Sequence, residues 1–108
     1  MMYHAHVYFD LSEQNQAQSL QQKILAEQSG QILRLFSLVP RLVGPHRKPM
    51  FEIHFSEQQS DFIDWLDKAR GELSVLIHPV SGNDIDDHSE PQVRWLGEKL
   101  GVNLDKLR

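Results

Sequence analysis

The chain carries six histidines, His4, His6, His46, His54, His78 and His88, and no cysteine, so any metal it holds must be bound through nitrogen and oxygen. Imidazole also titrates nearer neutrality than other side chains, which suits it to acid/base work. In Tyr3-His4-Ala5-His6-Val7-Tyr8-Phe9 a period of two puts His4, His6 and Tyr8 on one face of a strand and Ala5, Val7 and Phe9 on the other. The same arithmetic sets Glu52 and His54 apart from Phe51, Ile53 and Phe55, and His78 apart from Val75 and Ile77. If the three apolar faces share one core, the imidazoles share the opposite side of one sheet. That is a rigid platform for a metal site or an acid/base site.

His4-x-His6 places two imidazoles roughly 7 Å apart along a strand face, close enough for two ligands to one ion or for a ligand and a proton carrier. Alone, the pair reads more simply as solvated residues on an exposed sheet face. His78 adds weight because it ends a strand and is followed by a turn and the acidic run Asn83-Asp84-Ile85-Asp86-Asp87-His88. Those carboxylates could orient a ring N–H of His88 or of a ligating histidine, or could only solvate a loop. The oxygen spacing of a calcium-binding EF-hand is incomplete. His46 sits in a loop that Pro45 and Pro49 stiffen, beside Arg41, Arg47 and Lys48, which could bind a substrate carboxylate or simply face water. Glu52 and His54 either line a cavity or form the wet half of a strand.

Composition narrows the classes. The 108 residues, 40% hydrophobic and 24% charged, make one soluble domain spanning 1–108. A formal charge of −4 leaves no positive excess for a phosphate backbone, so nucleic acid is not an expected partner. No run approaches the roughly 20 apolar residues of a membrane span, and the chain opens on a strand rather than a basic, apolar leader. A cytoplasmic protein that does not engage a membrane is expected. There is no G-x-S-x-G, no G-x-G-x-x-G and no P-loop, so a serine nucleophile or a nucleotide cofactor has no anchor. Histidine-based metal chemistry is what remains, and imidazole with carboxylate suits Fe(II), Zn(II) or related divalent ions.

The elements that must position these side chains follow from period and punctuation. A strand over about 3–9 ends at Asp10, and Ser12 caps a helix to about residue 28 in which Ala17, Leu20 and Ile24 recur at helical spacing before Gly30. Residues 31–39 are apolar without a clean period and are expected to form a buried strand closed by Pro40. A loop to Pro49 precedes an alternating strand over 50–55. Ser56 then caps a helix with Phe62, Leu66 and Ala69 on one stripe, and Leu73 to His78 is the fourth strand. A last helix is expected from Ser89, with Pro91 in its first turn and Val93, Leu96 and Leu100 on one stripe. The order is that of an α+β, ferredoxin-like βαββαβ sandwich with an additional C-terminal helix. Both crossover helices would lie on one face, so the other needs a cover of loops, the terminal segment or a second subunit, and a homodimer is expected.

Several blocks also carry a family resemblance. Tyr3-His4-Ala5-His6-Val7-Tyr8-Phe9-Asp10, Val43-Gly44-Pro45-His46, Pro49-Met50-Phe51-Glu52, Leu73-Ser74-Val75-Leu76-Ile77-His78-Pro79, Gly82-Asn83-Asp84, Asp87-His88 and Trp95-Leu96-Gly97 resemble, in order and at compatible spacing, the DOPA 4,5-dioxygenase family. Here Arg47 and Lys48 separate His46 from Pro49, whereas the family pattern has proline directly after the histidine. The resemblance implies a mononuclear non-haem metal centre, Fe(II) by expectation with Zn(II) or another divalent ion possible, and a catechol-like aromatic substrate opened by O₂ beside a hydroxyl. It implies His6, His46 and His78 as metal ligands and His4 and His88 as acid/base or substrate-orienting groups, with Asp87 supporting His88. Glu52 is the carboxylate candidate if the ligand set is two histidines and one acid. Two other classes stay open: a non-catalytic dimeric module that binds a small aromatic molecule or a metal, and a metal-free acid/base isomerase.

Overall fold

A computed structural model describes residues 1–107. Five strands form one antiparallel sheet: β1 (Met2–Tyr8), β2 (Arg34–Leu35), β3 (Met50–Ser56), β4 (Val75–Pro79) and β5 (Arg94–Leu96), in the order β2-β3-β1-β4-β5. Helix α1 (Gln14–Gln28) joins β1 to β2, α2 (Asp61–Ala69) joins β3 to β4, and the single turn α3 (Asp84–Asp87) lies between β4 and β5. The first four strands and two helices are the split βαβ unit that the sequence order predicts.

Alternation decides which side each residue takes. Ala5, Val7 and Phe9 from β1 and its end, Phe51, Ile53 and Phe55 from β3, and Val75 and Ile77 from β4 are buried against Ala17, Leu20 and Ile24 of α1 and Phe62 and Leu66 of α2. Both helices therefore cover one face. Their starts are fixed by side chains: Glu13 accepts from the Asp10 backbone N–H at 2.9 Å, and Gln59 accepts from the Ser56 N–H at 2.9 Å. Each belongs to a 3₁₀ turn that leads into the helix, so Asp10 and Glu13 organise the start assigned from sequence to Ser12.

Two segments differ from expectation. The buried strand over 31–39 is reduced to the two residues of β2 plus an isolated bridge from Val39 to Met50, at the edge of the sheet. Leu33 is exposed and Phe36 half-buried, while Ile32, Leu35 and Leu38 of the same segment pack partly against the core. The helix expected from Ser89 is β5 instead, followed by a 3₁₀ turn at Leu104–Leu107. Gly97 and Gly101 adopt φ of 78° and 76°, left-handed values that interrupt any helix there, and Val93 and Trp95 obey the period of a strand.

That second difference supplies the missing cover. Val93, Trp95, Leu100 and Val102 pack with Tyr8, Met50 and Leu76 on the face away from the helices. The chain thus buries much of its own second sheet face, and the expected homodimer is not needed for that purpose. Among the described residues no helix is long and apolar enough to cross a membrane.

Candidate metal centre

Strand register assembles the histidines. His4 stands opposite His54 on β3 and opposite His78 on β4, so three imidazoles form a row across the sheet. Two residues along β1, His6 faces Glu52 on one side and Leu76 on the other. His46 arrives from the loop before β3, where the positive φ of 52° at Gly44 turns the chain and the Pro45 carbonyl accepts from the Asn103 N–H at 2.8 Å. His88 directly follows α3, whose start is capped by the Asn83 side chain. Five of the six histidines and Glu52 line a hollow of about 160 Å³.

Hydrogen bonds to carbonyls fix two of these rings. His78 Nδ1 lies 2.8 Å from the Pro79 carbonyl and His88 Nδ1 lies 2.7 Å from the Asp84 carbonyl, and a carbonyl can only accept. Each Nδ1 must therefore carry the hydrogen, which leaves each Nε2 with a bare lone pair while the ring is neutral. That is the arrangement by which proteins prepare a histidine for a metal. The ring centres of His78 and His88 are 4.1 Å apart.

His6 completes the argument. Its Nε2 lies 2.9 Å from His78 Nε2, and its Nδ1 is buried with no hydrogen-bond partner among the described residues. Glu52 Oε1 is 3.4 Å from that Nδ1, near enough to attract it but not aligned as a hydrogen bond. If the His6 hydrogen is on Nδ1, facing Glu52, two lone pairs meet at 2.9 Å; if it is on Nε2, a bare nitrogen faces a carboxylate. A cation between the Nε2 atoms removes the conflict, and adjacent ligand nitrogens around an ion with bonds near 2.1 Å are separated by about 3 Å. Ligand atoms of His4, His6 and His78 lie within 4.8 Å of one another, as do those of His6, His46 and His88. His6 is common to both groups, with His78 in one and His46 in the other, and the residues of either group fit a metal.

Electrostatics keep the rings available. Burial first, and then neighbouring imidazoles, bring His4 and His46 down to about 4 and push His6 well below its ordinary value. Burial also lowers His78 to about 4 against the opposing pull of the Pro79 carbonyl. Near pH 7 these four rings are neutral, as a ligand must be. Tyr8, whose hydroxyl is 2.7 Å from His46 Nδ1, is pushed up by burial and stays a phenol.

The structure thus brings His4, His6, His46, His78 and His88 to one hollow. His54 stands at its margin, with its ring 3.7 Å from that of His4 and Nε2 2.6 Å from Glu52 Oε2. Asp87 does not orient the His88 ring by a hydrogen bond; the Asp84 backbone carbonyl does. The Asp87 carboxylate instead accepts from the Ser81 N–H at 2.9 Å and the Ser81 hydroxyl at 2.6 Å. Burial works to raise its pKa, but these bonds and the nearby His78 and His88 give a net shift downward. Of the basic residues, Lys48 pairs with Asp10 at 3.3 Å, while Arg47 reaches the Val102 carbonyl at 3.4 Å. Tyr8 and Ser81 are the contributors that sequence reasoning assigned no role, although Tyr8 shares the pleat phase of His4 and His6.

Known proteins with similar sequences and structures identify the family. A DOPA 4,5-dioxygenase of Amanita muscaria is 31% identical over 97% of this chain, and an uncharacterized 21.2 kDa protein of Botryotinia fuckeliana is 35% identical over 70% of it. The chain spans about half the length of these curated relatives, 49% and 46% respectively. A crystal structure of a candidate dioxygenase from Nostoc punctiforme PCC 73102 superposes with a TM-score of 0.81 at 32% identity, covering 99% of this chain and 90% of that one. The family model described as the Dopa 4,5-dioxygenase family matches residues 3–106, and the chain belongs to that family.

Proposed function

We propose that the protein is a metal-dependent extradiol dioxygenase that opens the ring of a catechol such as L-DOPA, with His6, His46 and His78 holding Fe(II) and with His4 and His88 carrying protons. The observation that supports it most is the 2.9 Å approach of His6 Nε2 to His78 Nε2 while His78 Nδ1 is committed to a carbonyl. Bound there, Fe(II) would supply a common attachment point for a catecholate and O₂, so that orientation removes much of the barrier. With its Nδ1 donating to the Asp84 carbonyl, a neutral His88 would accept a proton from a catechol hydroxyl at Nε2. A smaller cavity of about 120 Å³ shares His88 with the hollow and is walled by Leu76, Val93, Trp95 and Val102, apolar and aromatic groups suited to one face of an aromatic ring. Arg47 and Lys106 line the adjoining depression beside His46 and offer positive charge to a substrate carboxylate. A cytoplasmic homodimer is part of the proposal, with exposed Leu33 and Leu42 as candidate contact residues.

The test is anaerobic loading with Fe(II), followed by oxygen uptake on a panel of catechols. One O₂ consumed per ring opened, with a yellow product, is the expected result. His6→Ala and His78→Ala should lose iron, whereas His88→Ala should keep iron and turn over slowly. Ligand affinity without oxygen uptake by the iron-loaded protein would make it a binding module, and activity that survives chelators would make it a metal-free acid/base enzyme.

A further inference from the structure

Glu52 turns its two carboxylate oxygens to different neighbours. Oε1 faces His6 Nδ1 at 3.4 Å, toward the inside of the hollow, and Oε2 lies 2.6 Å from His54 Nε2, toward its rim. Across the β1–β3 ladder His54 is paired with His4, and the two rings are parallel within 7° with centres 3.7 Å apart. One ligand atom from each of His4, Glu52 and His54 falls within 4.8 Å of the other two. We propose that His4, Glu52 and His54 form a second cation site at the rim of the hollow, one that takes a divalent ion such as Zn(II) or Co(II) separately from an ion held at His6.

Donor type and access both support it. Two imidazoles and one carboxylate with open positions form a set that divalent first-row metals accept, whereas the inner group centred on His6 offers imidazole alone. The His54 and Glu52 side chains keep 17% and 25% exposure, so an ion can enter from solvent and retain water. The position of His54 is dictated by the sheet, since β3 register and alternation leave it no other face. The ladder itself sets His4 beside His54, and the 2.6 Å Glu52–His54 contact is a hydrogen bond that an ion would replace, with the two stacked rings turning out of parallel to aim at it. Because Glu52 also approaches His6, the same carboxylate belongs to the surroundings of the inner ligand, and the two sites share a wall.

The site does not need the dioxygenase reading but takes His4 from it, so with an ion at the rim His88 alone would carry protons there, and counting metal separates the two sites. Metal-free protein is equilibrated with Zn(II), passed through gel filtration, and the retained zinc is measured per chain. Two equivalents are expected for the wild type. His54→Ala should retain one, the more conservative His54→Gln should match it with an unchanged circular dichroism spectrum, and His78→Ala should also retain one, held at the rim. A single wild-type equivalent that His54→Gln abolishes and His78→Ala leaves intact would keep the rim site and remove the inner one. Two equivalents surviving in His54→Gln, a single wild-type equivalent indifferent to that substitution, or no retained zinc would overturn the proposal.

Discussion

The Tyr8 hydroxyl lies 2.7 Å from His46 Nδ1 and so ties the middle strand of the sheet to the loop that delivers a histidine to the hollow. Both side chains are buried, with Tyr8 also stacked on Trp95 at 5.8 Å. Tyr8→Phe keeps the stack and deletes the tie, leaving His46 Nδ1 with no partner. Losing the bond and stranding one buried polar atom should cost about 1–3 kcal/mol. Urea denaturation should show a lower midpoint at constant slope, and an unchanged midpoint would mean that the bond contributes nothing net.

Stability should fall on acidification between pH 6.5 and about 4. His4, His46 and His78 have an ordinary value of 6.5 and about 4 in the fold, with burial as the leading cause in each. In that window the unfolded chain takes up protons that the folded chain refuses, so the stability present above pH 6.5 is lost as pH drops toward 4. The buried His46 and His78 can each contribute at most about 1.4 kcal/mol per pH unit. Denaturation midpoints measured in steps across the window should decline, and His78→Asn should flatten the decline. A flat profile for the wild type would show that these rings titrate normally.

Much of this arrangement is legible in the sequence because a strand has a period of two. His4, His6, Glu52, His54 and His78 all follow from pleat phase once their neighbours are apolar, and the structure sets them on one face. Lengthwise register is what the phase does not supply. That His4 meets His54 and His78, while His6 meets Glu52, depends on how far each strand slides along the next. The C-terminal segment misleads because Val93, Leu96 and Leu100 satisfy a helical stripe as well as Val93 and Trp95 satisfy a strand, and the choice rests on Gly97 and Gly101. Backbone acceptors are invisible to any motif. Nothing in the letters Pro79 or Asp84 indicates that their carbonyls fix the His78 and His88 rings.

Asp87 should matter first to the loop that follows β4. Its carboxylate holds Ser81 through both the amide and the hydroxyl, closing residues 81–87 into a compact turn that sets the approach to α3. Asp87→Ala removes both acceptors at once. Amide exchange at Ser81 should accelerate by about tenfold or more, corresponding to at least roughly 1.4 kcal/mol of local protection, while exchange in β1 stays as it was. Unchanged protection at Ser81 would assign the turn to the backbone alone.

Gly97 links the helix layer to the end of β5, the edge strand whose Trp95 lines the smaller cavity beside the hollow. At φ of 78° it lies in the left-handed region, and a Cβ built there would fall 2.5 Å from Arg70 Nη1. Arg70 Nη1 is the far end of a flexible side chain, so the steric part costs only the exposed contacts that Arg70 would give up in moving, Nε to Asp67 at 2.8 Å and Nη1 to the Gly71 carbonyl at 3.2 Å. Gly97→Ala therefore meets both backbone strain, of about 1–2 kcal/mol, and a steric clash. A double-mutant cycle with Arg70→Ala divides the two: the clash should be relieved in the double mutant and the strain should persist. Since β5 carries Trp95 against Tyr8, the single substitution should also weaken metal retention, which zinc counting can follow. Full recovery of stability in the double mutant would show that the left-handed backbone costs nothing, and no loss in the single mutant would show that β5 shifts freely to accommodate a methyl group.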